Sequence, residues 1–223
     1  MNVYRTLKYC SNKIKNYVVG AEGNISARIN DGFLVKSSGV KISNISDSMF
    51  TKSFFTKCDF DGNYNHNKFR KPSMETNFHS MLYKKYSWCN FIVHTHPIYT
   101  TSVLCSDRAE EFTTNKLFPD HVVYNHNSIL IEYTHPGIEL SDLIYEKLSQ
   151  SNYDISLILL KNHGIIALGK DIDTCIIITE MCEKAAQIYI NTHTLSTPVF
   201  LTKEQIKLIQ DDEHEKYRQS LYQ

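Results

Sequence analysis

Apolar residues recur at mixed helical spacing through the opening segment to about Tyr17, and Gly20-Ala21-Glu22-Gly23-Asn24 then breaks the pattern. Residues 25–28 and 32–36 read as a β-hairpin with Asn30-Asp31-Gly32 at its turn. Ser37-Ser38-Gly39 is a second small-residue loop. Residues 54–60 read as a strand that stops at Asp61-Gly62-Asn63. Lys71-Pro72-Ser73 introduces a helix over 74–86, with Ser73 as its N-cap. An apolar strand runs from Phe91 into His94, and a helix follows over 97–105. Residues 106–126 give no regular period and are read as irregular. Beyond them come a strand over 129–133, a helix over 139–149, and two strands over 155–160 and 165–168. A long helix is predicted over 172–192, with Ile176, Met181, Ala185, Ile188 and Tyr189 as its buried stripe. A charged helix over 203–217 closes the pattern. Strand pairs alternating with helices predict a layered α/β fold.

Composition narrows this picture. With 223 residues and 42% apolar content, the chain suits one well-buried domain over 1–223. Lys+Arg and Asp+Glu both number 24, and no basic block points to nucleic acid or anionic lipid as a partner. The N-terminal segment has no long apolar core, so it does not read as a signal peptide, and no later run reaches membrane-spanning length. The six cysteines are scattered without a CxxC pair, which fits free thiols and a cytoplasmic setting.

The candidate chemistry begins where the strand from Phe91 ends, in His94-Thr95-His96-Pro97. Side chains at i and i+2 of a strand share a face, and imidazole is the commonest metal ligand among side chains. A third histidine, His163, follows another apolar strand, in Lys161-Asn162-His163-Gly164. Three imidazoles can hold a zinc ion and leave a coordination position open, the pattern of a catalytic site. Glu75 reads either as an acid stabilised in the first turn of its helix or as a general base beside the metal. His79 lies one turn further along the same face, as a partner of that site or as a packed helix histidine. Gly23-Asn24-Ile25-Ser26, Ser37-Ser38-Gly39 and Ser73 offer hydroxyls and backbone N–H groups suited to a phosphate.

The ordered set GNISAR, SSGV, KPSMETNFH, HTHP and KNHG resembles the class II aldolase/adducin family, over roughly residues 4–195. The resemblance implies a three-layer α/β/α sandwich with a mostly antiparallel central sheet. It implies one zinc ion per subunit at His94, His96 and His163, and Glu75 as catalytic acid/base. It further implies a sugar-phosphate cradle from Gly23, Asn24, Ser38, Gly39 and Ser73, and a homotetramer with active sites near subunit interfaces. The expected reaction is aldol cleavage or formation of a ketose 1-phosphate, giving dihydroxyacetone phosphate and an aldehyde through a metal-stabilised enediolate. Epimerase, dehydratase and decarboxylase chemistries belong to the same family, as do non-catalytic adducin-like modules. A Glu at position 75 resembles the aldolases, and the presence of all three histidines speaks against a non-catalytic scaffold. Ser73-Met74 stands where the aldolases carry two serines. Tyr124 and His121 each read either as a proton donor to the aldehyde oxygen or as a structural residue, and Tyr217 and Tyr222 either as tail tyrosines of the kind that close over a site in relatives or as tail residues without such a role.

Overall fold

Residues 2–47 and 50–220 are described by a computed structural model of the chain. Tyr222 lies outside the described residues. The strands are β1 (Asn24–Ile29), β2 (Gly32–Lys36), β3 (Phe55–Cys58), β4 (Phe91–Thr95), β5 (Ser128–Ile131), β6 (Leu157–Leu160) and β7 (Gly164–Gly169). The α-helices are α1 (Val3–Ile14), α2 (Ile42–Ser46), α3 (Thr76–Lys85), α4 (Ile98–Leu104), α5 (Ala109–Thr114), α6 (Pro119–Asn125), α7 (Ile138–Ser149), α8 (Ile172–Leu195), α9 (Lys203–Asp211) and α10 (Glu213–Ser220). The strands form one sheet in the order β3-β2-β1-β4-β7-β6-β5. Among the described residues, only the β5–β6 pair is parallel.

Alternation along each strand gives the sheet two buried faces. Ile25, Ala27, Val93, Ile165 and Ala167 pack with Leu7, Ile14, Ile42, Leu104, Phe112 and Cys182, so α1, α2, α4, α5 and α8 cover one face. Phe33, Val35, Ile92, Ile158 and Ile166 pack with Phe78, Leu82, Leu140 and Ile144, so α3 and α7 cover the other. This is the expected three-layer α/β/α sandwich. Among the described residues, no helix is long and apolar enough to cross a membrane. All six cysteines are free, as expected.

Several elements differ from the sequence reading. The irregular stretch contains two helices, α5 of 6 residues and α6 of 7. Both are shorter than the window over which a helical period can be recognised. The strand expected over 54–60 is reduced to Phe55–Cys58. The charged C-terminal helix is divided at Asp212, which leaves the helical region (ψ 125°) and accepts the Glu215 N–H at 2.9 Å to cap α10. In α8 the core side is formed by Cys175, Ile178, Thr179, Cys182, Ala185, Ala186 and Tyr189 as well as Ile176, while Met181 and Ile188 are half-buried. The helix after Pro72 starts at Thr76, so Ser73 is not its N-cap and Glu75 occupies that position instead.

Candidate metal centre and acid–base site

Three backbone features bring the histidines together at one end of the sheet. His94 is the fourth residue of β4, paired with Asn24 of β1 on one side and Ile166 of β7 on the other. His96 lies just past the end of β4, where its N–H donates to the Tyr17 carbonyl at 3.0 Å. His163 occupies the tight β6–β7 turn, entered through Asn162 in the left-handed region (φ 55°). The ring centroids are 4.8, 4.9 and 5.0 Å apart. One nitrogen from each ring lies within 4.8 Å of the others. Gly164 makes this convergence possible: a Cβ there would lie 2.4 Å from the Thr95 carbonyl oxygen and 2.5 Å from the His96 ring. Gly23 serves similarly, since its Cβ would meet Val18 at 2.7 Å and the His94 carbonyl at 2.8 Å.

The protonation pattern follows from the partners. His94 Nδ1 is 2.8 Å from the Ile165 carbonyl, which can only accept, so Nδ1 carries the proton. Burial holds His94 neutral, with its pKa lowered to about 3, and leaves Nε2 a bare lone pair. His163 is likewise held neutral, at about 4, chiefly by burial. His96 Nε2 faces His94 Nε2 at 3.0 Å, while its Nδ1 is 3.2 Å from the Glu22 carboxylate. Glu75 adds negative charge, with its oxygens 3.3 Å from His94 Nε2 and 3.4 Å from His163 Nε2. Lone pairs this close repel unless a cation lies among them. Tetrahedral zinc with Zn–N bonds of about 2.1 Å requires nitrogens roughly 3.4 Å apart, so the donor set suits a divalent ion of that kind.

Glu75 is 7% exposed, and its Oε1 has no hydrogen-bond partner. Burial raises its pKa, against the lowering influence of His163, His96, the Asn24 hydrogen bond and Lys36. Its other oxygen accepts from Asn24 Nδ2 at 2.8 Å. Behind Asn24 runs a buried chain from β1 into α3. Asn24 Oδ1 meets His79 Nε2, His79 Nδ1 meets Ser26 Oγ at 2.7 Å, and Ser26 Oγ meets the Tyr83 hydroxyl at 2.7 Å. Because an amide oxygen only accepts, His79 donates through Nε2 and accepts at Nδ1. Both readings of His79 hold: it is fully buried and stacked on Phe78 with ring centroids 4.5 Å apart, and it hydrogen-bonds Asn24.

The remaining expected site residues occupy different surroundings. Asn24 is fully buried, with both ends of its amide engaged. Ser73 Oγ accepts from the Glu75 N–H at 3.3 Å. Ser38 and Gly39 are exposed beside it, tied in by the Ser38 N–H to Lys71 carbonyl bond (2.9 Å) and the Ser37–Pro72 bridge. Tyr124 stands on α6 against a cavity lined by Val123, His126, Asn127, Ser156 and Ile209, which the histidine cluster does not share. His121 is 2% exposed and stacks on Phe112, a core position.

Three contributors went unread in the sequence. Glu22 backs His96. Buried Lys36 donates to the Ala21 and Val40 carbonyls at 2.9 and 2.7 Å, joining the two small-residue loops. Glu183 of α8 accepts the Tyr99 and Thr100 N–H groups at 3.0 and 2.8 Å, anchoring α4 directly after His96-Pro97. A lysine ending an otherwise apolar strand (Gly32-Phe33-Leu34-Val35-Lys36) was the one available signal. The two glutamates carry no local signature.

A mostly antiparallel three-layer sandwich with three converging histidines and a buried carboxylate defines a class II aldolase-like architecture. The chain belongs to the Class II Aldolase and Adducin N-terminal domain family, whose sequence signature matches residues 11–190. It is 33% identical over 175 residues to an L-fuculose phosphate aldolase of Methanococcus maripaludis, covering 78% of this chain and 87% of that protein. It is 31% identical over 177 residues to a 3-oxo-tetronate 4-phosphate decarboxylase of Haemophilus influenzae, covering 78% and 80%. Its fold matches a solved L-fuculose 1-phosphate aldolase with a TM-score of 0.76 at 22% identity, over 96% of this chain and 94% of that one.

Proposed function

We propose that this chain is a divalent-metal-dependent lyase acting on a phosphorylated sugar. Its reaction is aldol cleavage of a ketose 1-phosphate to dihydroxyacetone phosphate and an aldehyde, or the reverse. The observation that carries this reading is the convergence of one nitrogen from each of three imidazoles and of Glu75 Oε1, which has no hydrogen-bond partner, on one point. His94, His96 and His163 would hold the ion, with zinc the best match to three imidazoles. A bound divalent ion supplies Lewis acidity at the substrate carbonyl. Glu75 takes or returns the proton on the carbon next to that carbonyl, its basicity raised by burial. Asn24 holds one carboxylate oxygen so that the other faces the substrate. Gly23 shapes the adjoining loop, while Ser38, Gly39 and Ser73 offer backbone and hydroxyl donors to the phosphate. Lys36 keeps the two loops in register and places a positive charge beneath them. Tyr124, on its separate cavity, donates to the aldehyde oxygen only across a subunit boundary, which fits a homotetrameric assembly.

The decarboxylase relative supports a second reading, because loss of carbon dioxide from a 3-keto acid phosphate passes through the same kind of enolate. The deciding experiment supplies ketose 1-phosphates and a 3-oxo-tetronate 4-phosphate to metal-loaded protein, and follows triose phosphate and carbon dioxide. Triose phosphate and an aldehyde released from a ketose 1-phosphate support the aldolase. Carbon dioxide released together with triose phosphate from the four-carbon keto acid, with no cleavage of the ketose 1-phosphates, replaces it with the decarboxylase, and isomerised sugar without either product defeats both. His96→Ala is expected to lose bound metal and turnover together, read by metal analysis of the purified variant beside its activity.

A further inference from the structure

The three histidines are not supported alike from behind. His94 is backed by a backbone carbonyl within the sheet, the Ile165 oxygen at 2.8 Å. His96 lies beyond the last ladder pair of β4, so pairing does not hold its ring. Behind that ring stands a carboxylate, Glu22 Oε2, 3.2 Å from Nδ1. Glu22 is itself held, since its Oε1 accepts the Val19 N–H at 2.5 Å and its own N–H donates to the Val19 carbonyl at 3.3 Å. Gly23, which follows it, cannot move outward or carry a side chain, because the His94 carbonyl and Val18 close over its Cα. The carboxylate thus belongs to a built turn with a fixed aim.

We propose that Glu22 is a positioning residue for the metal centre: it accepts the Nδ1 proton of His96, fixes the tautomer that leaves Nε2 bare, and tightens metal binding through its negative charge. The inference rests on the reading of the histidine triad as a metal site. An anionic acceptor behind a ligating imidazole raises the electron density on the opposite nitrogen and removes the competing tautomer. Glu22 offsets part of the charge of a divalent ion without touching it, which leaves the open coordination position to the substrate. Its 35% side-chain exposure lets the carboxylate be removed without opening the core.

The test is a metal titration of the apo-protein against a chromogenic chelator, using zinc and cobalt(II), for the parent chain, Glu22→Gln and Glu22→Ala. Glu22→Ala is expected to raise the zinc Kd about 10- to 100-fold, and Glu22→Gln by less, since the amide still offers an oxygen. The cobalt(II) absorption bands are expected to keep position and intensity in both variants, because the ligand set is unchanged. Kd values of both variants within about twofold of the parent overturn the inference and leave the metal site standing. Cobalt bands that change with Glu22→Ala overturn it differently, by making Glu22 a ligand. A parent chain that takes up neither ion removes the metal-site reading, and the inference falls with it. Unchanged thermal unfolding of the apo-variants separates these outcomes from misfolding.

Discussion

A carboxylate with one oxygen held by an amide and each oxygen facing an imidazole has its orientation set before any substrate arrives. Glu75 is such a group. Glu75→Gln preserves size and the Asn24 contact while removing the base. Turnover is expected to fall by about 10²- to 10⁴-fold. Metal content should persist, and measuring both on one preparation checks the assignment: undiminished turnover would mean that another group moves the proton. Gly164 is the other residue on which the site depends. A methyl group at this position meets a backbone oxygen at 2.4 Å and the His96 ring at 2.5 Å, so β4, β7 or the ring must give way. Gly164→Ala is expected to cost about 1–3 kcal/mol and to weaken metal binding. Urea unfolding and metal titration read the two effects separately, and an unaltered midpoint would show that the turn yields freely.

At the scale of elements, β1 and α3 act as one unit. The chain Tyr83–Ser26–His79–Asn24 crosses from helix to strand and ends on Glu75. Its direction of donation is fixed at the carboxylate end, where Asn24 must present its NH₂ group. Removing the imidazole leaves Asn24 Oδ1 buried without a donor, at a cost of about 1–3 kcal/mol. It also frees the amide to rotate its oxygen toward Glu75. His79→Leu is therefore expected to lower kcat far more than it raises KM, with metal content unchanged. Tyr83→Phe, which removes only the far end, is expected to do much less. Equal effects of both changes on kcat and KM would reduce the chain to a packing contact. The anchoring of α4 by Glu183 follows the same logic: a long helix on one face holds the segment leaving His94 and His96.

For the whole molecule, the cost of a polar site inside a sandwich appears in its acid stability. His79, His94, His121 and His163 all have pKa values lowered by burial, His94 to about 3 and His163 to about 4. Unfolded histidine binds its proton near pH 6.5, so below that pH the unfolded chain takes up protons that the folded chain refuses. The folded-state advantage is complete above about pH 6.5 and declines as pH falls toward the folded values. Each such histidine contributes at most about 1.4 kcal/mol of lost stability per pH unit in that window. The metal-free protein should show a urea midpoint distinctly lower at pH 5 than at pH 7.5. Midpoints that coincide would show these imidazoles titrating normally. Metal, which binds the deprotonated rings, should raise the midpoint more at the higher pH.

The strands, the long helices and the three histidines of the candidate site were legible in the sequence because each rests on local chemistry. Apolar alternation specifies a buried strand wherever it occurs, and two histidines at i and i+2 near a strand end share a side in any fold that keeps that strand. Helices as short as α5 and α6 were not legible, since one or two turns leave no period to detect. The position of Glu75 outside its helix, the engagement of Asn24 with the carboxylate, and the placing of Glu22, Lys36 and Glu183 were decided by tertiary structure alone. These depend on which strand lies beside which, and on which loop a turn brings within about 3 Å of another, the range over which hydrogen bonds act. The order of residues along the chain supplied the groups; only the β1–β4–β7 register and the β6–β7 turn brought them to one point.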